Sequence, residues 1–136
     1  MANEAVLVGR KNHPQMFTCA DGTGIEKGTI VKLTDPRTVA ASSADGDICA
    51  GIAAEEKIAN DGRTEIPVFV DGRFRVTTVA SPAAIAAGHK IKLGGANLVD
   101  AADVTTAADF AEHMGRSLET VGATTQETIE FDLMVA

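Results

Sequence analysis

Gly28-Thr29-Ile30-Val31-Lys32-Leu33 returns as Gly88-His89-Lys90-Ile91-Lys92-Leu93, an offset of 60. Each copy opens on a glycine. Thr29–Leu33 is rich in β-branched residues, and Lys90–Leu93 alternates polar with apolar, the period of a strand with one buried face. The surroundings return as well. Ala50-Gly51-Ile52-Ala53-Ala54-Glu55 corresponds to Met114-Gly115-Arg116-Ser117-Leu118-Glu119 at an offset of 64, and Ile66, Val68 and Val70 correspond to Ile129, Phe131 and Leu133 at 63. Each half therefore reads glycine–strand, loop, glycine–strand, turn, alternating strand. This weak internal duplication implies a pseudo-symmetric β-structure whose halves share one core, since a half of this size buries little apolar surface alone.

Working outward, Thr64–Val70 alternates and is entered through Asn60-Asp61-Gly62. Asp71-Gly72 reads as a tight hairpin turn into the alternating run Arg73–Thr77. Ile129–Val135 alternates to the end of the chain. Helix is scarce. Ser81–Gly88 has a cap, an early proline and a terminating glycine, and Thr105–Met114 is a second short candidate closed by Gly115. The expected fold is all-β, with one or two short helices, as a compact β-barrel or β-sandwich. Residues 1–22 read as an extended N-terminal arm: Val6-Leu7-Val8 forms a short apolar stretch, interrupted by Gly9 and by His13-Pro14. A first strand paired into the domain's own sheet is the alternative. Residues 23–136 make the single β-rich domain.

Composition narrows the functions. The 136 residues carry a net charge of -7; residues 1–20 hold Glu4 against Arg10 and Lys11, so the remainder is more acidic still. Gripping nucleic acid requires clustered cations to neutralise phosphates, so no direct nucleic-acid partner is expected. Trp and Tyr are absent and Phe numbers 5, which leaves little for aromatic sugar- or base-stacking platforms. No apolar run is long enough for a membrane helix, and no signal sequence is read at the start, so a chain made in a cytoplasm and without a membrane partner is expected. Cys19 and Cys49 lack metal or redox spacing and read as buried thiols, with a disulfide as the alternative.

Candidate chemistry is thin. His13, His89 and His113 lack ligand-spaced partners. Asp45-Gly46-Asp47 is too short for a calcium loop. Asp21-Gly22-Thr23-Gly24 lacks the lysine of a phosphate loop. Ser42, Ser43, Ser81 and Ser117 sit in no nucleophile elbow. Glu55, Glu56 and Glu65 do not form a facing pair. No catalytic, cofactor-binding or metal residue is assigned, and a non-enzymatic role is expected.

The order of landmarks Gly28, Gly51, Ile52, Gly62, Val68, Val70, Gly72, Phe74, Val76, Ile85 and Gly88, completed by Gly115 and Ile129–Val135, resembles the capsid-decoration (cement, head-stabilising) family of tailed bacteriophages. The likeness spans roughly residues 24–135. It implies a viral structural protein on the outer capsid surface of the virion, with the major capsid protein as partner. It also implies a homo-oligomer, trimer favoured over dimer, and supplies neither catalytic residues nor cofactors. Terminal segments in that family often clasp the shell, so Val6, Leu7, Val8, Arg10, Lys11 and Phe17 are the expected capsid contacts. The long arm and the Ala/Asp-rich stretch Asp100–Asp109 depart from shorter members. A secreted or surface ligand-binding β-module and a small β-fold nucleotide hydrolase are the competing readings.

Overall fold

The computed structural model describes residues 13–103 and 105–134. Its elements run β1 (Gln15–Thr18), β2 (Ile30–Asp35), β3 (Thr38–Ala41), β4 (Cys49–Ala53), β5 (Glu65–Phe69), β6 (Asp71–Thr78), β7 (Lys90–Gly95), β8 (Leu98–Ala101), α1 (Ala107–Glu112), β9 (His113–Ser117) and β10 (Thr128–Met134). The strands close into two five-stranded barrels, β1-β3-β2-β4-β5 and β10-β6-β8-β7-β9. The all-β expectation holds, as a barrel built twice.

Both barrels follow one plan. A hairpin, β2–β3 or β7–β8, turns through a residue with positive φ, Arg37 (55°) or Asn97 (57°). The register slips at the same place in each hairpin, just beyond Leu33 or Leu93. The first strand runs parallel to the hairpin's second strand, and the last strand closes the barrel antiparallel to the first. Registers give the equivalences: Thr18 lies opposite Thr38 and Glu65, as Thr77 lies opposite Leu98 and Thr128, so Phe17 matches Val76 and Gln15 matches Phe74. The repeated glycines of β4 and β9 are steric necessities. A Cβ on Gly51 would sit 2.1 Å from the Phe69 carbonyl oxygen, and one on Gly115 would sit 2.1 Å from that of Asp132.

Barrel one is filled by Cys19, Ile25, Val31, Val39, Ala50, Ala53, Ile66 and Val68, with Phe17 half-buried against them. Barrel two is filled by larger groups, among them Met114, Ile129, Phe131 and Leu133, and its cluster also includes Ile30, Cys49 and Ile52 of barrel one. The halves therefore do not share one core, as the repeat suggested. Strand alternation explains the arrangement: Val31 points into barrel one, so its neighbour Ile30 points outward, against barrel two. Closing five short strands gives each half an interior of its own, and one barrel's outer wall then packs on the other's end.

Two local readings are corrected. Asp71-Gly72 is not a hairpin turn: β5 and β6 belong to different sheets, and Asp71 and Gly72 are the first residues of β6, opposite Met134 and Leu133. Ser81–Gly88 is not helical; Ile85 instead forms an isolated antiparallel bridge with Val121, as Ile25 does with Lys57. The second helical candidate does contain α1, whose Thr106 hydroxyl accepts the Asp109 N–H. The expected arm overlaps barrel one, since Gln15–Thr18 is its first strand.

Candidate functional surface

The relation between the barrels defines the surface features. Ile30, Cys49, Ile52 and Phe69 form an apolar outer wall on barrel one, and this wall covers the end of barrel two where the β7–β8 hairpin turns. The Phe69 and Phe74 rings meet there with centroids 5.6 Å apart. Polar groups fix the joint. The Ile30 N–H donates to Asn97 Oδ1 at 2.9 Å, the Asn97 N–H donates to Ser42 Oγ at 3.1 Å, and the Gly46 N–H donates to the Leu93 carbonyl at 3.3 Å. Lys92 bridges the seam, reaching Asp109 at 3.0 Å and Asp45 of barrel one at 3.3 Å. Burial pulls the Lys92 ammonium pKa down, but hydrogen bonds and charge from Asp109 and Asp45 outweigh it and hold it above the ordinary value.

The equivalent features in the other barrel are different. At the wall positions of barrel two stand Lys90, His113, Arg116 and Asp132 in place of Ile30, Cys49, Ile52 and Phe69. At the hairpin end of barrel one, Leu33 is 42% exposed, whereas its counterpart Leu93 is fully buried. At the positions matching Phe74, Met114 and Leu133 of barrel two, barrel one carries the smaller or polar Gln15, Ala50 and Val70. Two further large apolar side chains, Met16 and Ile48, are exposed on this barrel, and the Ile48 carbonyl accepts the Leu33 N–H. Among the described residues, Leu93 is sealed at its barrel end while Leu33 is partly exposed at the matching one.

The opposite end of barrel one holds a buried cation. Lys57 is fully buried, and its Nζ donates to the carbonyls of Asp21 and Ile58 and to the carboxylates of Asp21 (3.1 Å) and Asp61 (2.8 Å). Asp61 also accepts N–H bonds from Arg63 and Ile58. The Lys57 hydrogen bond, followed by that of the Arg63 N–H, lowers the Asp61 pKa to about 2. Desolvation pulls the Lys57 pKa down, and the two aspartates more than restore it. Every donor of the ammonium is engaged, so the cluster ties loop to loop.

The motifs weighed from sequence are absorbed by the fold. Asp47 accepts the N–H groups of Ser43 and Ala44, which makes Asp45-Gly46-Asp47 a capped turn. Asp21 of the glycine-rich loop holds Lys57 and the Gly62 N–H. Ser42 belongs to the seam, and Ser117 bonds the Glu119 backbone. Both cysteines are free and buried, and burial pushes the Cys49 thiol up to about 12. Among the described residues, no group of three or more His, Cys, Asp or Glu is placed to hold a metal ion, and no helix is long and apolar enough to cross a membrane. A cleft of about 350 Å³ lies along the seam, lined by Lys27, Ile30, Phe69, Phe74, Arg75 and neighbours.

Of the expected capsid contacts, Val6, Leu7, Val8, Arg10 and Lys11 lie outside the described residues. Phe17 packs half-buried against the core of barrel one, and its neighbour Met16 is the exposed group on that strand. The wall, the exposure of Leu33 and Lys57 were not singled out from sequence, although the offsets 60, 64 and 63 already align Ile30 with Lys90, Ile52 with Arg116 and Phe69 with Asp132. No family model matches the chain, and no curated protein matches it.

Proposed function

We propose that this chain is a capsid decoration protein that binds the outer surface of a tailed-phage head and stabilises the shell. Its partner is the major capsid protein, and it acts as a homo-oligomer, a trimer in preference to a dimer. The observation that carries the reading is where the landmarks of the sequence resemblance fall. Gly28 and Gly88 share a φ of 87°, and Gly51 and Gly115 take the same close approach in β4 and β9. The resemblance is thus to a barrel skeleton, not to a string of surface residues. Asp21, Ser42, Asp47, Lys57, Asp61, Lys92 and Ser117 are engaged in turns, the seam and the Lys57 cluster, which suits a rigid body that adheres rather than one that transforms a substrate. A net charge of -7 suits a coat whose neighbouring copies repel one another.

Co-sedimentation of the full chain with expanded, undecorated heads tests the proposal, with bound copies counted per capsid. Saturation at a fixed stoichiometry that raises the temperature at which heads rupture is expected. Heads that sediment without the protein at micromolar concentration overturn it.

A further inference from the structure

One side of β6 is paired along only part of its length. The Thr78 N–H donates to the Glu127 carbonyl, so by strand alternation Val76 and Phe74 also bond β10. Thr77, Arg75 and Arg73 then turn their N–H and C=O groups the other way. β10 agrees: the Leu118 N–H donates to the Glu130 carbonyl, so Glu130 and Asp132, opposite Arg75 and Arg73, bond toward β9. On the side away from β10, β8 begins at Leu98, beside Thr77, and pairs with Thr77 and Thr78. Among the described residues, no strand pairs with Arg73 or Arg75 on that side.

This edge forms one bank of the seam cleft. Arg75 lines the cleft of about 350 Å³, and Ile30, Ile52, Phe69 and Phe74 give it an apolar floor. Its rim is cationic, in a chain of net charge -7. Lys27 is exposed there and has no ion pair among the described residues. The Arg75 side chain is 74% exposed, although it reaches Glu130 at 3.2 Å. We infer that the cleft takes an extended acidic–apolar segment of the shell protein, added to β6 as a further strand beside Arg73–Val76. The identity of the partner rests on the shell reading proposed above.

Three features select this occupant. An unpaired edge offers N–H and C=O groups at the spacing of an extended backbone, which a strand matches in register. Alternate side chains of that strand point one way, so an apolar one can enter the floor between Phe69 and Ile30 while its neighbours stay outside. Lys27 and Arg75 at the rim complement acidic neighbours. A compact small molecule would leave the main chain of Arg73 and Arg75 unused.

Head binding by full-length variants tests the inference, together with hydrogen exchange. Arg75→Pro removes the edge N–H without removing a bond to β10, and circular dichroism first checks that it is folded. It should bind expanded, undecorated heads on the order of ten-fold more weakly than Arg75→Ala, which loses the same side chain and keeps the N–H. Lys27→Glu should weaken binding about three-fold at low salt and less at high salt. In the isolated wild-type chain, the Arg75 amide should exchange on the order of a hundred-fold faster than those of Phe74 and Val76, and on decorated heads it should become as slow as they are. If Arg75→Pro does not fold, the exchange measurement decides alone. Equal head binding by Arg75→Pro and Arg75→Ala, with the Arg75 amide still fast on heads, overturns the inference and leaves the shell reading standing. Protection of that amide in the isolated chain assigns the edge to a segment of this chain or of a second copy, and overturns it too. Wild-type protein that does not bind heads overturns the shell reading itself, and with it the partner named here.

Discussion

Barrel one keeps a cation where barrel two keeps a hydrocarbon. Lys57 and Val121 occupy the same bridge position, facing Ile25 and Ile85, and both are buried. Asp21 and Asp61 hold Lys57; at the matching positions of barrel two stand Pro82 and Thr125, and the Pro82 carbonyl accepts the Thr124 N–H as the Asp21 carbonyl accepts that of Asn60. One backbone plan therefore tolerates either a satisfied charge cluster or an apolar plug. The difference teaches that the fold is carried by strand register and close glycine contacts, while the contents of each end are exchangeable as complete sets. A buried ion pair is weak evidence of stability, and replacing one partner alone is what destabilises.

The largest effect should come from what the barrels share. Gly51→Ala and Gly115→Ala each place a methyl group 2.1 Å from a carbonyl oxygen of the neighbouring strand, at φ of 147° and 157°. The strands must separate to admit it, which exceeds ordinary overpacking and should cost more than about 3 kcal/mol. Urea titration followed by circular dichroism checks this, and a loss below about 1 kcal/mol at both sites would show that the close approach is not needed.

Next comes the wall. Ile52→Arg gives barrel one the residue that barrel two carries, Arg116, at a position only 6% exposed and packed into barrel two's end. A guanidinium without a carboxylate there should cost about 2–4 kcal/mol. Arg116→Ile, the reciprocal change on an exposed wall, should stay within about 0.5 kcal/mol. Equal losses from the two substitutions would mean that the walls do not differ as described.

The repeat, the all-β class and the glycines were legible because they are local: alternation at period 2 and a glycine at each close approach leave their mark on every copy. The hairpin at Asp71-Gly72 was misread for the opposite reason. A two-residue turn signal says that the chain can reverse, but Phe69 and Phe74 end up in different barrels because β5 finds its partners in β1 and β4. The role of Ile30 was hidden similarly. Alternation marks it as outward-facing and cannot say that another barrel waits outside. Lys57 follows Glu55-Glu56, a context that reads as solvated surface, and only the loop containing Asp21, distant in sequence, makes it interior.

The ends offer a smaller and more selective test. Lys57→Val alone leaves Asp21 and Asp61 facing a hydrocarbon and should lower Tm by roughly 5 °C. The set Asp21→Pro, Lys57→Val and Asp61→Thr transplants the other barrel's end and should recover at least half of that fall, in line with the exchange of complete sets. If the triple variant melts lower than the single one by calorimetry, the ends are not interchangeable.

The smallest effect is one of pH, and its sign is fixed by two opposite shifts. Asp61 is held at about 2 in the folded chain, below an unfolded value near 4, so its contribution is present above the unfolded pKa and is lost as pH falls from about 4 to 2. Lys57 is held above its ordinary value, so its contribution is intact below the unfolded pKa near 10.4 and is lost only as pH rises beyond it. Between those limits Asp61 and Lys57 add no pH dependence. Asp61→Asn keeps an oxygen acceptor for Lys57 and removes the titrating acid. Its melting temperature should lie below wild type at pH 7 and approach it as pH is lowered toward 2, because wild type then loses what the variant already lacks. A gap that stays constant from pH 7 to 2 would locate the acid sensitivity in other depressed carboxylates, of which Asp132, held low chiefly by its hydrogen bond from Arg73 on barrel two, is the first to substitute.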